Sequence, residues 1–421
     1  MKSILLIHPA LPYPPQNGAD QALLSSIVVA QQFCRVLLIY PVCDINNQNE
    51  REAIFSTKFP DVKLCPYFQI EENRKQPLII RIWWSLSRLA DKHLHYSEHI
   101  RPKNPDNDNL GWMSLFNPQS STFIEHINKV INDNNIDVIQ VELHGLMSTI
   151  LGLPSTIKKI FVHHEIVFVR HALEQDIPNC SYFIQGLYEE SKMMEISLLN
   201  KYDGIITLSD IDKQKLLIAG VTSPIYSSFA TVDATLSDQN VYSNGLELSF
   251  IGTCIHSPNY HGLQWFLDTC WPKLLAIDPN YKLRIIGNWP DIYQKSFLAK
   301  YTNISFTGFV ENTREYLQGT ILIVPILVGS GIRMKILEGA SIGIPIVTTA
   351  VGVEGIRVSD GFHCSIANTS EIFVEKIIEL RNCDIQKKYI DNFRKFVIDN
   401  YSMEALAENR KSIYQDILTI D

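Results

Sequence analysis

This 421-residue sequence predicts an α/β protein built from two successive strand–helix units. Three observations carry that expectation. Short apolar runs rich in β-branched residues recur along the chain and end in glycine-, proline- or polar-rich loops, as strands buried on both faces do. Helical periodicity follows most of them. The strand count then begins again near residue 246, after a stretch (230–244) of Thr, Ser, Asp and Asn that has no periodicity and reads as a linker.

Composition narrows the class. With 46% hydrophobic and 19% charged residues, the chain is globular and long enough for two full cores. A net charge of -8 argues against a general nucleic-acid binder while leaving room for a local basic pocket. The eight cysteines form no Cys-x-x-Cys pair and no framework spacing, the pattern of reduced core thiols in a cytoplasmic protein. Residues 1–8 are too short an apolar run for a signal peptide and read as a first strand. No stretch of about 18 or more apolar residues suggests a membrane span.

The first unit opens with a strand over 4–8, a proline-stiffened loop to Gly18, a helical pattern through Ala22, Leu23, Ile27, Ala30 and Phe33, and a second strand over 36–40. Ligands collect at the carboxyl ends of such strands. Gly18 fits either a close approach to phosphate or a plain turn. Residues 77–94 place Arg81, Ser85, Arg88 and Lys92 on one thin stripe of an otherwise apolar helix that includes Trp83 and Trp84. Such a helix is either buried or lies in a membrane interface. His95 and His99 are four apart without a carboxylate partner, so they read as surface histidines rather than metal ligands. Residues 101–118 read as a loop. Strands over 136–142 and 159–163 end in Glu142-Leu143-His144 and His163-His164-Glu165, polar clusters at the cleft edge. Alternation sends one of His163 and His164 inward, and His164 is favoured, against a structural histidine as the alternative. A long helix over 181–202, a strand over 204–208 and a helix from Asp210 complete this half.

The second unit starts with a strand over 246–251 and a loop from Gly252 into a helix with Asn259 near its start and Trp265 on its body. Strands follow over 283–287, 304–306 with Gly308, 321–326 and 364–367. The run after residue 321 is the most informative. A buried strand closes at Pro325, Gly329 and Gly331 form a loop, and a helix follows whose N-terminus favours an anion. On that helix Ile332, Ile336 and Ala340 face the sheet, while Lys335 and Glu338 share another side. Arg333 must reach around from the first turn. Lys335 with Glu338 reads either as an exposed salt bridge or as the two partners a nucleoside diphosphate needs, a cation for phosphate and a carboxylate for ribose hydroxyls.

Pro325, Gly329-Ser330-Gly331, Arg333, Lys335, Glu338, Gly343-Ile344-Pro345 and Gly352-Val353-Glu354-Gly355 resemble the donor-site signature of family 4 glycosyltransferases, retaining enzymes of GT-B fold. The likeness is to the branch with Gly-Ser-Gly-x-Arg-x-Lys-x-x-Glu. Ser330 stands where the commoner pattern has a first glutamate. The loop after residue 251 also lacks the Arg or Lys of many relatives, so Arg333 and Lys335 must neutralise the diphosphate largely alone. The resemblance implies two Rossmann-like domains facing a cleft. Residues 1–232 would form the acceptor side, 233–402 would bind the nucleotide sugar, and a last helix within 403–421 would cross back onto the first domain.

It further implies His164, Arg333, Lys335 and Glu338 as catalytic residues. Donor contacts would come from Gly18, Gly252, Asn259, Gly329, Ser330, Gly331, Glu354 and Gly355. The expected activity is transfer of a sugar from a nucleoside-diphosphate sugar to a glycan or lipid-linked acceptor in bacterial surface polysaccharide synthesis. No metal or other cofactor is expected, because protein cations and helix dipoles stabilise the leaving diphosphate. The expected location is cytoplasmic, with peripheral contact at the inner membrane face if the helix over 77–94 touches lipid. Two other readings fit the same fold: a sugar-nucleotide epimerase, and a donor-binding protein without activity.

Overall fold

The computed structural model describes residues 2–13, 15, 18–42, 47–68, 119–169, 182–229, 231–232, 242–329 and 331–419. The first half contains β1 (Lys2–Ile7), α1 (Gly18–Ala30), β2 (Cys34–Val42), α2 (Gln48–Lys58), β3 (Lys63–Phe68), α3 (Ser121–Asn134), β4 (Val138–Glu142), β5 (Lys158–His163), α4 (Tyr182–Leu199), β6 (Gly204–Thr207), α5 (Asp210–Ala219) and β7 (Ile225–Ser227). A 3-10 segment, His144–Gly152, links β4 to β5. The second half contains β8 (Glu247–Ile251), α6 (Ser257–Thr269), α7 (Trp271–Ile277), β9 (Lys282–Ile286), α8 (Asp291–Lys300), β10 (Ile304–Gly308), α9 (Thr313–Leu317), β11 (Ile321–Val324), α10 (Met334–Ile342), β12 (Ile346–Thr348), β13 (Ser365–Ile366), α11 (Ser370–Glu379), α12 (Cys383–Tyr401) and α13 (Met403–Thr419).

The strands form two parallel sheets, in the orders β3-β2-β1-β4-β5-β6-β7 and β10-β9-β8-β11-β12-β13. Each order reverses direction at its first strand, between β1 and β4 and between β8 and β11. Such switch points open a crevice outside the carboxyl ends, where ligands bind in open α/β sheets. This is the two-unit α/β architecture that the sequence predicts.

Period-two alternation builds the cores. Leu5 and Ile7 of β1 pack with Phe123 and Ile127 on one face, while Ile4 and Leu6 pack with Leu23 and Ile27 on the other. Ile413, Tyr414 and Ile417 of α13 belong to that second cluster, so the last helix lies on the first sheet. Ala22 of α1, in turn, packs in the cluster of α10 with Met334 and Ile336. The halves therefore share apolar contact.

Several elements escaped the sequence reading. α2, β3, α3 and β7 were not anticipated, and β3 carries a proline, Pro66, that argues against a strand. The sheet tolerates it because β3 is the edge strand, where a missing N–H breaks no ladder. The helix expected over 77–94 lies outside the described residues, as do His95, His99 and the loop over 101–118. Among the described residues, no helix is long and apolar enough to cross a membrane, and the cysteines are free thiols.

Candidate functional site

The second switch point is shaped by β11 and the loop that follows it. The strand stops at Val324, before Pro325, and the chain turns through Gly329 at φ 119° and Gly331 at φ 80°. Only glycine adopts these angles without strain. α10 then begins at Met334, with Arg333 at its N-cap in an extended conformation. This corrects the placement of Arg333 in the first helical turn. The two left-handed glycines consume the residues that would have formed that turn, so Arg333 hangs beside the loop and donates to the Gly331 carbonyl.

Lys335 and Glu338 both project from α10 as half-buried side chains. The Lys335 ammonium donates to the Ile251 carbonyl at 2.5 Å and to Asn259 Oδ1 at 2.7 Å, and stands 5.2 Å from the centre of the Phe250 ring. Burial, with Arg333 beside it, pushes Lys335 down to about 7, while Glu338 pulls the other way. Lys335 is thus the cation of the β8 loop that the loop's own sequence lacks. Asn259, on α6, also donates to Thr253 O at 3.1 Å. It packs so closely on Gly252 that a β-carbon there would stand 2.6 Å from its side chain. Glu338 accepts from the Thr313 hydroxyl. Burial raises its pKa, and that hydrogen bond and Lys335 restrain the rise. No sequence signal distinguished Thr313, whose partner lies 25 residues away.

The first switch point faces this one with its own polar cluster. His164, just past β5, donates through Nε2 to Glu142 Oε2 at 2.5 Å, so any ligand contact by its ring falls to Nδ1. Glu142, at the end of β4, is fully buried and accepts from Gln140 Nε2 through its other oxygen. Burial alone would raise its pKa. The His164 hydrogen bond and charge, with Arg410 and His8, outweigh that and hold it below the usual range. His8, after β1, donates from Nδ1 to the Ala10 carbonyl at 2.7 Å, and burial lowers its pKa. His163 points the opposite way, to Glu195 Oε1 at 2.8 Å. Glu195 also accepts from the Val167 and Phe168 amides. Of the adjacent histidines, His163 therefore holds the fold together and His164 is turned toward the β1–β4 switch point.

The two clusters touch. A β-carbon at Gly331 would stand 2.5 Å from the His164 carbonyl oxygen, and one at Gly329 would stand 4.0 Å from Glu165 Oε1. Glu354 extends the junction by accepting from Lys215 Nζ of α5 at 2.5 Å, and Gly355 abuts Ser209. Gly18 begins α1, and Ser330 lies outside the described residues. Among the described residues no group of three or more His, Cys, Asp and Glu side chains is arranged to hold a metal ion. The switch points therefore bring together cations and a helix N-terminus on one side, a carboxylate deeper on the same helix, and a histidine–carboxylate pair opposite.

Known proteins resemble this chain in part of its sequence and in its fold. Residues 245–382 match the family model described as "Glycosyl transferases group 1". An uncharacterised 44.6 kDa protein in the cps region of Klebsiella pneumoniae is 28% identical over 37% of this chain and 43% of that protein. The N-acetyl-alpha-D-glucosaminyl L-malate synthase of Bacillus anthracis is 24% identical over 40% of this chain and 46% of its own length. The matched stretch thus spans less than half of each relative. Among solved structures, a point mutant of S. aureus TarM, in complex with fondaparinux, alpha-GlcNAc-glycerol and UDP, superposes with a TM-score of 0.69. It is 11% identical, with all of both chains covered.

Proposed function

We propose that the protein is a retaining glycosyltransferase of the family 4 kind, moving a sugar from a nucleoside-diphosphate sugar to a glycan or lipid-linked acceptor in bacterial surface polysaccharide synthesis. The observation that carries this reading is the meeting of the glycine loop and α10, with Arg333, Lys335 and Glu338, against the His164–Glu142 pair across the cleft. Arg333, Lys335 and the α10 N-terminus take the diphosphate, whose charge grows as it leaves. Glu338 accepts from the ribose hydroxyls, and His164 stands beside the bond that breaks. All of these charges belong to the protein, and the reading invokes no metal. Residues 1–232 would hold the acceptor and 233–402 the donor, in the cytoplasm, with membrane contact left to the segment over 77–94. The family-model match and the UDP complex of the TarM relative support the donor class.

Glu338→Ala tests it. The variant should fold and lose at least about tenfold in affinity for UDP or whichever nucleoside diphosphate stabilises the wild type in a thermal-shift panel, since each charge-assisted hydrogen bond is worth about 1.5 to 3 kcal/mol. Undiminished nucleotide binding by the variant would remove Glu338 from the ribose. A wild type that neither binds nor hydrolyses any activated sugar would remove the enzyme reading.

A further inference from the structure

We propose that Glu165 is the carboxylate that accepts hydrogen bonds from the donor's sugar hydroxyls, reaching across the cleft to a glycine loop that has no carboxylate of its own. The proposal rests on the nucleotide-sugar reading and identifies the residue that reads the sugar.

The loop over 325–333 contains one ionisable side chain, and it is the cation Arg333. Neutral sugar hydroxyls are held best by a carboxylate, whose two oxygens accept charge-assisted bonds from vicinal hydroxyls. Three carboxylates act electrostatically on Arg333: Glu354, Glu165 and Asp212. Glu354 is joined to Lys215 at 2.5 Å, and Asp212 accepts from the Ser209 hydroxyl at 2.7 Å in the first turn of α5. Glu165 is the one that reaches the loop, with Oε1 4.0 Å from where a Gly329 β-carbon would stand and Cα 3.9 Å from the same point on Gly331. Nε2 of His256, on the β8 side, lies 3.9 Å from Oε1. Glu165 also follows His164 directly, so the two side chains beside the scissile bond belong to one turn. A carboxylate at this point repels a bare diphosphate and suits a ligand that also brings neutral donors. A nucleoside-diphosphate sugar has both.

This sign argument supplies the test. Glu165→Gln keeps the shape and removes the charge. Calorimetric titration would compare UDP with the UDP-sugar that the wild type uses, or the GDP pair if GDP is its nucleotide. The expected result is a loss of about tenfold or more for the nucleotide sugar, with the bare nucleotide bound equally or more tightly. Glu165→Asp, which keeps the charge but withdraws it by one methylene, should show the same selective loss and serves if the Gln variant fails to fold. Equal weakening of both ligands would show that Glu165 only orients Arg333, and no change in either would place it outside the site. Each of those outcomes overturns the proposal. A wild type blind to every nucleoside diphosphate would instead defeat the reading on which it rests.

Discussion

At the scale of residues, Lys335 has the most to report. Its position three residues before Glu338 is compatible with an exposed ion pair. In the structure its head is drawn down to Ile251 and Asn259, over the Phe250 ring, with Arg333 as a like-charged neighbour. Burial and that neighbour disfavour the ammonium, so the free protein carries it below about pH 7 and loses it above. A bound diphosphate favours the charged form, and donor binding above that pH must then take up a proton. Nucleotide affinity should accordingly fall as pH rises from about 7 to about 9, by up to about tenfold per unit. Lys335→Arg should flatten the dependence, because a guanidinium stays charged. Calorimetry in two buffers of different ionisation heat measures the uptake directly. Absence of uptake at about pH 8 would show that the amine does not respond to the ligand.

At the scale of elements, the ends of β4 and β5 act together. Glu142 is held ionised by His164, Arg410 and His8 against the cost of burial. Its folded pKa lies below the ordinary 4.5. Its stabilisation is therefore present above that value and is lost as pH falls through the lower folded one. The carboxylate fixes the tautomer and tilt of His164, which makes Glu142 a positioning residue for the ring. Glu142→Gln should lower kcat about tenfold or more while moving KM less. His164→Ala should cost about as much, and the double variant no more than either. Additive losses in that cycle would show that the pair does not act as a unit. Thermal melts of each variant separate this from unfolding.

At the scale of the whole molecule, α13 ties the chain's end to its first sheet. Tyr414 donates to Gln140, Arg410 Nε donates to Ser228 Oγ at 2.6 Å, and Ile417 is buried against β6. The fit at Ile417 is tight: a β-carbon on Gly204 would stand 2.6 Å from Ile417 Cδ1. Gly204→Ala alone should destabilise by about 1 to 3 kcal/mol through overpacking. Ile417→Ala alone should cost about 2 to 5 kcal/mol through the cavity it leaves. Combined, the added methyl occupies space the lost side chain vacated, so the double variant should be more stable than the sum of the two costs implies. Denaturant midpoints measure the coupling, and strict additivity would mean that α13 does not pack there in solution. The ion pairs of Lys215 with Glu354 and Arg357 with Asp210 also join the halves. The first sits beside Arg333, and the second is exposed and worth little by itself.

The sequence by itself determined the α/β class, the two sheets and the glycine loop with its helix, because period-two and 3.6-residue patterning and glycine punctuation are local properties. It marked Lys335, Glu338 and His164 through spacing and resemblance. It did not reveal β3, an edge strand that carries Pro66, nor the start of α10, which two left-handed glycines delay to Met334. Tertiary structure alone supplied the partners of the adjacent histidines, because Glu142 and Glu195 sit on elements far apart in the chain. It alone brought Lys335 to the β8 loop, Thr313 to Glu338 and Glu165 to Gly329. Those pairings come from sheet order and from closure of two halves, and a long-range contact leaves no period in the sequence to read.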